Sequence, residues 1–353
     1  MPASTKTATP IRVLIVDDSL VAREMLAQIL GSDPGIEVAG MASDGVQAVE
    51  LVERLHPDLV TMDIHMPRMD GLHATERIMA FTPTPILVVS SSVHGEGMGR
   101  AFDALSAGAL EVIRKPEPKD WADLQRIGTE VILKAKVLAR VKVITHIRGR
   151  RGERTIPGTR HRRERGQRSI VAIGSSTGGP SALEAVLCRL PRSFPVPIVI
   201  AQHIADGFVP GLVSWLSGVC ELKVKAAEDA EELSRGTVYF APTGTNVEVD
   251  DNRVRLVAPG ARQLYVPSAD TLFDSVAVSH GPNAVGVILT GMGADGAQGL
   301  KRMRDAGAAT IAQDEATSTV WGMPKAAVEL GAAESVVPLE QIGASLAELV
   351  PAR

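Results

Sequence analysis

The most informative segment of the chain reads Ile170-Val-Ala-Ile-Gly-Ser-Ser-Thr-Gly-Gly-Pro180. A short apolar run ends at two serines held between glycines, and a helical pattern begins directly after them. This order predicts a buried strand, a tight turn and the start of a helix. The spelling of residues 174–178 also fits the G-x-S-x-G elbow, in which a strained turn exposes a serine oxygen. The alternative is a glycine-rich loop that binds a phosphate through its amides, although no lysine follows as in nucleotide-binding loops.

Two other apolar strands of this half end in residues that can act together with the serine. His203 closes the run Pro197-Ile-Val-Ile-Ala-Gln-His203, and Asp295 lies in a glycine-rich turn after the strand 284–290. Because parallel strands bring their carboxyl ends to one edge of a sheet, Ser176, His203 and Asp295 are expected to lie close together. A serine hydroxyl needs a base to remove its proton, and a carboxylate orients that base. These three residues are therefore the candidate catalytic set.

Each member of this set also has a purely structural interpretation. A histidine after a strand is often only a hydrogen-bonding residue, and an aspartate placed like Asp295 can cap the helix that follows it. Spacing alone does not separate it from the other carboxylates of this half, namely Asp206, Asp229, Asp270 and Asp274. The chain order Ser, His, Asp differs from the Ser, Asp, His order of α/β-hydrolases, so the elbow spelling does not identify that fold. The turn at 291–296 can also offer backbone amides to an oxyanion.

The first half alternates apolar strands with helices, the order typical of a parallel doubly wound sheet. Five polar residues follow the carboxyl ends of its strands: Asp17, Asp18, Asp63, Ser90 and Lys115. Three carboxylates at one edge repel each other unless a hard cation lies between them, and Mg²⁺ accepts such ligands together with water. A lysine and a hydroxyl beside them can hold phosphoryl oxygens, and a carboxylate can accept a phosphoryl group. Helix capping explains any one of these aspartates but not all five positions.

Composition and length limit the class of protein. With 353 residues, 45% of them hydrophobic, and a net charge of -4, the chain is expected to form two soluble domains. It has no apolar run long enough for a membrane span and no typical secretory signal, so a cytoplasmic protein is expected. Its two cysteines, Cys188 and Cys220, lack metal-site spacing and are expected to be buried thiols. Only 3% of its residues are aromatic, which argues against stacking platforms for single-stranded nucleic acid.

Residues 11–120 resemble the receiver domain of two-component response regulators. The matching motifs are Val16-Asp-Asp-Ser19, Met62-Asp-Ile-His-Met-Pro-Arg-Met-Asp-Gly71, Val89-Ser-Ser91 and Lys115-Pro116. The resemblance implies that Asp63 is the phosphoacceptor and that Asp18 and Asp63 hold Mg²⁺, with Asp17 close by and the backbone carbonyl of His65 as a further ligand. It also implies that Ser90 is the switch hydroxyl and that Lys115 contacts the phosphate. Receivers more often carry Glu or Asn in place of His65, a difference that concerns the rate of dephosphorylation rather than metal binding.

The second half resembles the catalytic domain of the chemotaxis protein-glutamate methylesterases. The matching motifs are Ile173-Gly-Ser-Ser-Thr-Gly-Gly179, Ala201-Gln-His203, Pro267-Ser-Ala-Asp-Thr-Leu-Phe273, Leu289-Thr-Gly-Met-Gly-Ala-Asp-Gly-Ala297 and Gly322-Met-Pro324. The resemblance implies Ser176 as nucleophile, His203 as general base and Asp295 as the acid that orients it. Thr177 and the backbone near Met292 are the implied oxyanion contacts. The implied reaction converts glutamate methyl esters on a chemoreceptor's cytoplasmic helix to glutamate and methanol without a cofactor, and the family also deamidates glutamines.

Together these patterns predict two doubly wound, mainly parallel α/β domains. We expect a leader at 1–10, a flavodoxin-like receiver at 11–130, a basic interdomain linker at 131–168 and a three-layer α/β/α methylesterase domain at 169–353. A small antiparallel insert is expected around 235–260. Within the linker, residues 148–168 contain nine arginines and two glutamates. This composition favours a solvated tether over a nucleic-acid-binding arm, because no helix-turn-helix pattern follows it.

The combined resemblance implies an esterase that is controlled by phosphorylation. The unphosphorylated receiver is expected to cover the Ser176 site, and phosphorylation of Asp63 by a chemotaxis histidine kinase is expected to favour an open form. The expected partners are this kinase and methyl-accepting chemoreceptors, with no nucleic acid and no membrane insertion. The alternatives are a signalling adaptor without catalysis and a DNA-binding regulator that uses the arginine-rich segment. Val266 and Asn246 depart from the family pattern, which concerns receptor preference rather than the triad.

Overall fold

The computed structural model describes residues 9–91, 96–143, 168–261 and 263–351. The chain folds as two compact units, Met1–His146 and Ile147–Arg353, and each unit has its own parallel sheet. The predicted leader and the arginine-rich segment lie almost entirely outside the described residues. In the parts of the chain that the structure describes, no helix is both long and apolar enough to cross a bilayer.

The first unit alternates strands with helices, as its sequence pattern predicts. Its strands are β1 (Ile11–Val16), β2 (Ile36–Ala42), β3 (Leu59–Met62), β4 (Ile86–Ser90) and β5 (Glu111–Arg114). Its helices are α1 (Leu20–Gly31), α2 (Gly45–Leu55), α3 (Gly71–Phe81), α4 (Glu96–Ser106) and α5 (Trp121–Leu138). The strand order is β2-β1-β3-β4-β5 and every pair is parallel. This is the flavodoxin-like order, and the predicted fold class of this half is confirmed.

A core of aliphatic side chains holds the first sheet against α1 and α5. Val13 and Ile15 of β1 are fully buried in this core, and burial of each such side chain contributes about 1.5–3 kcal/mol. Val131, Ala135 and Leu138 of α5 belong to the same core. Helical packing therefore continues past residue 131, where the sequence pattern predicts the start of the linker.

The second unit contains a seven-stranded sheet and a separate two-stranded hairpin. Its strands are β6 (Ile170–Ser175), β7 (Ile198–Gln202), β8 (Lys223–Ala226), β9 (Thr237–Phe240), β10 (Asn246–Asp250), β11 (Arg253–Val257), β12 (Ala284–Ile288), β13 (Ala309–Gln313) and β14 (Ser335–Val337). The sheet order is β14-β13-β12-β6-β7-β9-β8, with parallel pairs throughout. Because β6 lies at the centre, with β7 and β12 on its two sides, the carboxyl ends of these three strands are neighbours.

Helices cover both faces of this second sheet. They are α6 (Gly179–Leu187), α7 (Val209–Val219), α8 (Ala269–His280), α9 (Ala297–Asp305), α10 (Met323–Glu329) and α11 (Leu339–Leu349). Ile170 and Ala172 of β6 pack in one core with α8, α9 and α10. The alternate side chains of β6 point to the opposite face, and α6 packs against α7 and α11. The predicted three-layer arrangement is confirmed.

One expectation about the second unit is only partly confirmed and another is wrong. The antiparallel insert is limited to the β10-β11 hairpin, because β9 lies inside the parallel sheet between β7 and β8. All four side chains of β9 are buried, as a strand covered on both faces requires. The cysteines are not both buried, since Cys188 is exposed and Cys220 is partly exposed. Both lie directly after helices, at the C-cap positions of α6 and α7, where the chain returns to the surface.

Candidate active site

The serine loop follows the central strand β6 and leads into α6. Gly178 is the N-cap of α6 and has φ +74°, a left-handed conformation that favours glycine. The Gln202 amide at the end of β7 braces the loop, because its Nε2 donates to the Ser176 carbonyl at 2.9 Å. Ser175 Oγ donates to the Gln202 Oε1 at 2.6 Å, whereas Ser176 Oγ makes no hydrogen bond within the described ranges. Of the two adjacent serines, Ser176 is the one whose hydroxyl is left available.

The turn after β12 packs directly against this serine. The Ser176 amide donates to the Thr290 carbonyl at 3.0 Å. A Cβ atom added to Gly291 would lie 2.7 Å from the Ser176 Cβ and would also collide with Met323 Sδ. Residue 291 must therefore be glycine for the two turns to approach this closely. The strand order of the sheet and this glycine together place the turn that carries Asp295 beside the serine loop.

His203 and Asp295 form a hydrogen-bonded pair at the same edge of the sheet. His203 Nε2 lies 2.8 Å from the Asp295 Oδ2. The His203 backbone amide donates to the Ser175 carbonyl at 2.9 Å, which holds the histidine next to the serine loop. The other ring nitrogen, Nδ1, is buried and has no hydrogen-bond partner in the described residues. A carboxylate at Nε2 leaves Nδ1 as the nitrogen that can accept a proton.

The Asp295 carboxylate is held by the N-terminus of α8. It accepts hydrogen bonds from the Ala269 amide at 2.7 Å, the Asp270 amide at 3.2 Å and the Ser268 hydroxyl at 3.0 Å. Burial opposes ionisation, but the His203 ring and these amides outweigh it and hold the pKa of Asp295 below its ordinary value. The carboxylate is therefore ionised at neutral pH and fixed in the orientation that pairs with the histidine.

The rival carboxylates of this unit have other contacts. Asp270 accepts the Gly299 amide at 2.6 Å, and Asp229 accepts the Leu256 amide at 2.9 Å. Asp274 pairs with Arg302, with 2.6 Å between Oδ2 and the guanidinium Nη2. Asp206 is exposed. In the described part of the chain, Asp295 is the only one of these aspartates that contacts His203.

Two backbone amides near Ser176 are available to an oxyanion. Thr177 is buried, and its carbonyl accepts the Thr290 hydroxyl at 3.0 Å, which fixes the orientation of the loop. Met292 follows Gly291, whose backbone approaches the Ser176 side chain. Within the described ranges, the N–H groups of Thr177 and Met292 donate no hydrogen bond. Thr177 therefore lies in the serine loop, and Met292 lies in the turn that packs against this loop.

Two aromatic residues beside the triad were not predicted from the sequence. The Tyr265 ring stacks on the His203 ring, with centroids 4.9 Å apart and planes inclined by 6°. Trp321 pairs with Gly291 in a parallel bridge, and its buried indole Nε1 has no partner in the described residues. Each residue lies one or two positions before a family motif, at 267–273 and 322–324. Only that proximity in the sequence could have identified them.

Asn246, one of the departures from the family pattern, supports the segment that carries Tyr265. Its Oδ1 accepts the Ser268 amide at 2.9 Å, and its Nδ2 donates to the Gln263 Oε1 at 2.8 Å. Ser268 in turn donates to Asp295. Asn246 does not contact the triad, but it fixes both ends of the segment that stacks on the histidine. Val266, the second departure, lies in the same segment and is partly buried.

The stack predicts a specific effect of changing Tyr265. We expect Tyr265→Ala to lower kcat by roughly 2- to 10-fold, because an aromatic pair is worth about 0.5–1.5 kcal/mol. Tyr265→Phe retains the ring and should keep most of the rate. Steady-state hydrolysis by the two variants, measured over a range of pH, checks this expectation. An equal loss in both variants would mean that the hydroxyl, not the stacked ring, is what matters.

The carboxyl edge of the first sheet gathers the predicted acidic cluster. One ligand oxygen from each of Asp17, Asp18 and Asp63 lies within 4.8 Å of the others. Asp17 and Asp63 are buried, whereas Asp18 is exposed. Carboxylate oxygens in this arrangement fit a hard divalent cation. His65 is exposed and lies two residues after Asp63, so its backbone follows the same strand end.

Lys115 joins the two buried aspartates. Its Nζ lies 2.8 Å from the Asp17 Oδ2 and 2.9 Å from the Asp63 Oδ2. Burial disfavours the ammonium, but the two carboxylates outweigh it and raise the pKa of Lys115. Burial, with the Asp17 charge, raises the pKa of Asp63 despite the lysine. Ser90 is buried at the end of β4, and its carbonyl accepts the Lys115 amide at 2.9 Å.

Comparison with protein families matches both units. The family model described as CheB methylesterase matches residues 171–346, and the response regulator receiver domain matches residues 13–124. The chain is 46% identical over 340 residues to a protein-glutamate methylesterase/protein-glutamine glutaminase 2 of Anaeromyxobacter dehalogenans, which covers 96% of this chain and 97% of the relative. It is 43% identical over 342 residues to a protein-glutamate methylesterase/protein-glutamine glutaminase 3 of Hahella chejuensis, with coverage of 96% and 98%.

A solved structure also matches the second unit. The CheB methylesterase catalytic domain of Thermotoga maritima is 39% identical to this chain, with a TM-score of 0.50. The match covers 52% of this chain and 100% of that domain. The sequence similarity and the shared fold therefore agree with the catalytic geometry around Ser176.

Proposed function

The chain belongs to the CheB methylesterase family and carries a response regulator receiver domain, and from this we propose that it is a phosphorylation-activated protein-glutamate methylesterase. The enzyme hydrolyses glutamate methyl esters on chemoreceptors in chemotaxis adaptation, and it also deamidates glutamines. The observation that carries the proposal is the His203–Asp295 hydrogen bond of 2.8 Å beside a serine loop whose hydroxyl is available. Methanol release from a carboxyl-methylated receptor fragment tests it.

His203 acts as the general base through Nδ1. The ionised Asp295 carboxylate accepts a hydrogen bond at Nε2, so the proton of the neutral imidazole resides on Nε2. Nδ1 then carries the lone pair and can take the proton of Ser176 Oγ. The positive charge that forms on the ring is stabilised by Asp295, which three further donors hold in place.

Acylation consumes the ester in two steps. Ser176 Oγ attacks the carbonyl carbon of the glutamate methyl ester, and the resulting oxyanion accepts hydrogen bonds from the Thr177 and Met292 amides. The tetrahedral intermediate collapses when the methoxy oxygen leaves with the proton from His203, releasing methanol. The glutamyl group remains bound to Ser176 as an ester.

Water completes the cycle. His203 Nδ1 removes a proton from a water molecule, whose oxygen attacks the glutamyl ester, and Ser176 leaves with that proton. The products are a glutamate side chain and free enzyme. With a glutamine substrate the same steps apply, except that the leaving group is ammonia instead of methanol. No step requires a metal ion or an organic cofactor.

The receiver controls the activity of this site. Asp63 accepts a phosphoryl group from the phosphohistidine of a chemotaxis histidine kinase, so that an N–P bond breaks and an O–P bond forms. Asp18, Asp63 and the His65 carbonyl, with Asp17 nearby, would hold Mg²⁺, which would offset the phosphoryl charge. Lys115 pairs with a phosphoryl oxygen, and Ser90 is the hydroxyl that responds to the phosphate. Phosphorylation shifts the population of the chain toward the form in which the Ser176 site is active.

Replacement of Asp63 should remove activation by phosphorylation but leave the basal esterase activity. We expect Asp63→Ala to retain low basal methanol release but to show equal rates with and without a small-molecule phosphodonor and Mg²⁺, because the acceptor oxygen is gone. Removing Mg²⁺ with a chelator should abolish stimulation of the parent protein in the same way. Rates from carboxyl-methylated receptor fragments measure both effects.

Asp58→Ala is the matched control for this experiment. Asp58 precedes β3, at the other end of the strand that Asp63 follows, and its carboxylate accepts the Arg12 amide at 2.8 Å. The control should respond to the phosphodonor like the parent protein. Equal stimulation of Asp63→Ala and the parent would contradict the assignment of the phosphoacceptor.

The proposed partners follow from the two reactions. The second unit acts on methyl-accepting chemoreceptors, and the first unit receives its phosphoryl group from the chemotaxis kinase. Both reactions belong to the cytoplasm, where the modified helices of chemoreceptors lie. We propose no nucleic-acid partner and no insertion into the membrane.

A further inference from the structure

The two cysteines of the chain lie side by side although 32 positions separate them. Cys188 Sγ and Cys220 Sγ are 2.7 Å apart, and Cys188 Sγ also donates to the Val219 carbonyl at 3.4 Å. The sequence contains no other cysteine. Neither thiol can therefore form a disulfide with any other residue of the chain. An S–S bond is about 2.05 Å long, so the two sulfur atoms lie only slightly farther apart than bonded atoms would.

Both cysteines occupy the same structural position on neighbouring helices. Cys188 is the C-cap of α6, and its amide donates to the Glu184 carbonyl at 3.0 Å. Cys220 is the C-cap of α7, and its amide donates to the Leu216 carbonyl at 2.9 Å. The backbone of each cysteine is therefore fixed by its own helix. The two sulfur atoms would have to approach each other by about 0.6 Å to form a bond.

The helices that the cysteines end are those that follow the catalytic strands. α6 begins three residues after Ser176, and the Gly179 amide donates to the Ser176 carbonyl at 2.8 Å. α7 follows the segment that begins with His203. The N-termini of α6 and α7 follow the segments that carry Ser176 and His203. A bond between Cys188 and Cys220 would therefore join the C-termini of these two helices.

From this geometry we propose that Cys188 and Cys220 are a redox-modification site that closes to an intrachain disulfide by exchange with a small-molecule disulfide such as oxidised glutathione. The Cys188 thiolate, the more exposed of the two, attacks a glutathione sulfur and releases one glutathione thiol. The Cys220 thiolate then attacks the Cys188 sulfur and releases the second. Two protein thiols and one oxidised glutathione become one protein disulfide and two reduced glutathiones.

The surroundings of the pair set the speed of this exchange. Burial raises the pKa of both thiols, and the charge of Glu184 one turn before Cys188 acts in the same direction. Because the thiolate is the attacking species, closure should be slow at neutral pH and accelerate by about tenfold for each unit of rising pH. Reducing agents reverse the reaction. In a reducing compartment the site would therefore respond to oxidation rather than remain permanently bonded.

The test uses the full chain in glutathione buffers of defined oxidised-to-reduced ratio, quenched with acid and alkylated. Intact mass spectrometry should show a loss of about 2 Da, two hydrogen atoms, with both cysteines protected from alkylation together. Peptide mapping should find Cys188 linked to Cys220, and dithiothreitol should restore both thiols. The oxidised form should also unfold at a temperature higher by roughly 5–10 °C, because the bond closes a long loop in the unfolded chain.

Variants distinguish the proposed bond from other thiol chemistry. The double variant with Cys188→Ser and Cys220→Ser should unfold at the same temperature in oxidising and in reducing buffer. Each single variant should give only a mixed disulfide with glutathione. If either variant fails to fold, the mass measurement on the parent chain decides alone. A stable glutathione adduct on Cys188 of the parent, a disulfide between two chains, or thiols that remain free in the most oxidising buffer would each overturn the proposal.

Discussion

Ser176→Ala is expected to lower methanol release by about 10⁴-fold or more, because the triad cannot form an acyl-enzyme without its nucleophile. The residual rate would come from the oxyanion amides and substrate binding alone. Ser176 Oγ has no hydrogen-bond partner within the described ranges, so its removal should leave the fold intact. Methanol release from a carboxyl-methylated receptor fragment measures the loss, and thermal unfolding checks the structure.

The preceding serine provides a matched control. Ser175 differs from Ser176 by one position, but its hydroxyl is buried and donates to the Gln202 Oε1 at 2.6 Å. We expect Ser175→Ala to be destabilised by about 1–3 kcal/mol, since it leaves a buried acceptor unpaired, while most of the activity survives. A loss in Ser175→Ala as large as that in Ser176→Ala would contradict the assignment of the nucleophile.

Asp295→Asn should lower methanol release by about 10⁴-fold, the loss expected when a triad aspartate becomes neutral. An asparagine still offers one oxygen to the amides at the N-terminus of α8, but its NH₂ group cannot accept the proton of His203 Nε2. The ring would then favour the wrong tautomer, and its positive charge would lose a buried counterion. Steady-state kinetics measure the effect, with the unfolding temperature as a check on α8.

Asp270→Asn is the control for charge in the same region. Asp270 lies on the first turn of α8 and accepts the Gly299 amide at 2.6 Å, but it does not contact the histidine. Burial raises the pKa of its carboxyl, so loss of its charge should disturb the protein little. We expect near-parental activity. If Asp270→Asn lost as much activity as Asp295→Asn, the negative charge at this helix end, rather than the pairing of Asp295 with His203, would explain the loss.

Much of the fold is predictable because apolar periodicity and the position of glycines reflect local structure. The alternation of strands and helices in the first unit, and the strand, turn and helix around the serine loop, are present as their sequence patterns predict. The residues at strand ends are predictable for a related reason. Parallel strands share their carboxyl edge, which predicts Ser176, His203 and Asp295 at one edge of the sheet, and the strand order that makes them neighbours comes from the structure. The choice of Asp295 over its rivals needed the family resemblance, because spacing does not show which carboxylate a helix end will orient.

Features that depend on contacts distant in sequence were not predictable. The place of β9 in the parallel sheet depends on burial of both of its faces, and a strand of four residues is too short for its sequence to show this. The pairing of His203 Nε2 rather than Nδ1 with Asp295 depends on the ring orientation, and the stack with Tyr265 depends on the segment that Asn246 holds. The proximity of Cys188 and Cys220 results from the packing of α6 beside α7, so their spacing in the sequence gave no indication of it.

The most direct test of the account is methanol release by the unaltered full chain from a carboxyl-methylated receptor fragment, with and without a small-molecule phosphodonor and Mg²⁺. We predict a low but measurable rate from the chain alone and a higher rate after phosphorylation, with one new glutamate carboxylate for each methanol released. An absence of methanol in both conditions would contradict the proposed esterase. A rate that is measurable but unchanged by phosphorylation would contradict control by the receiver.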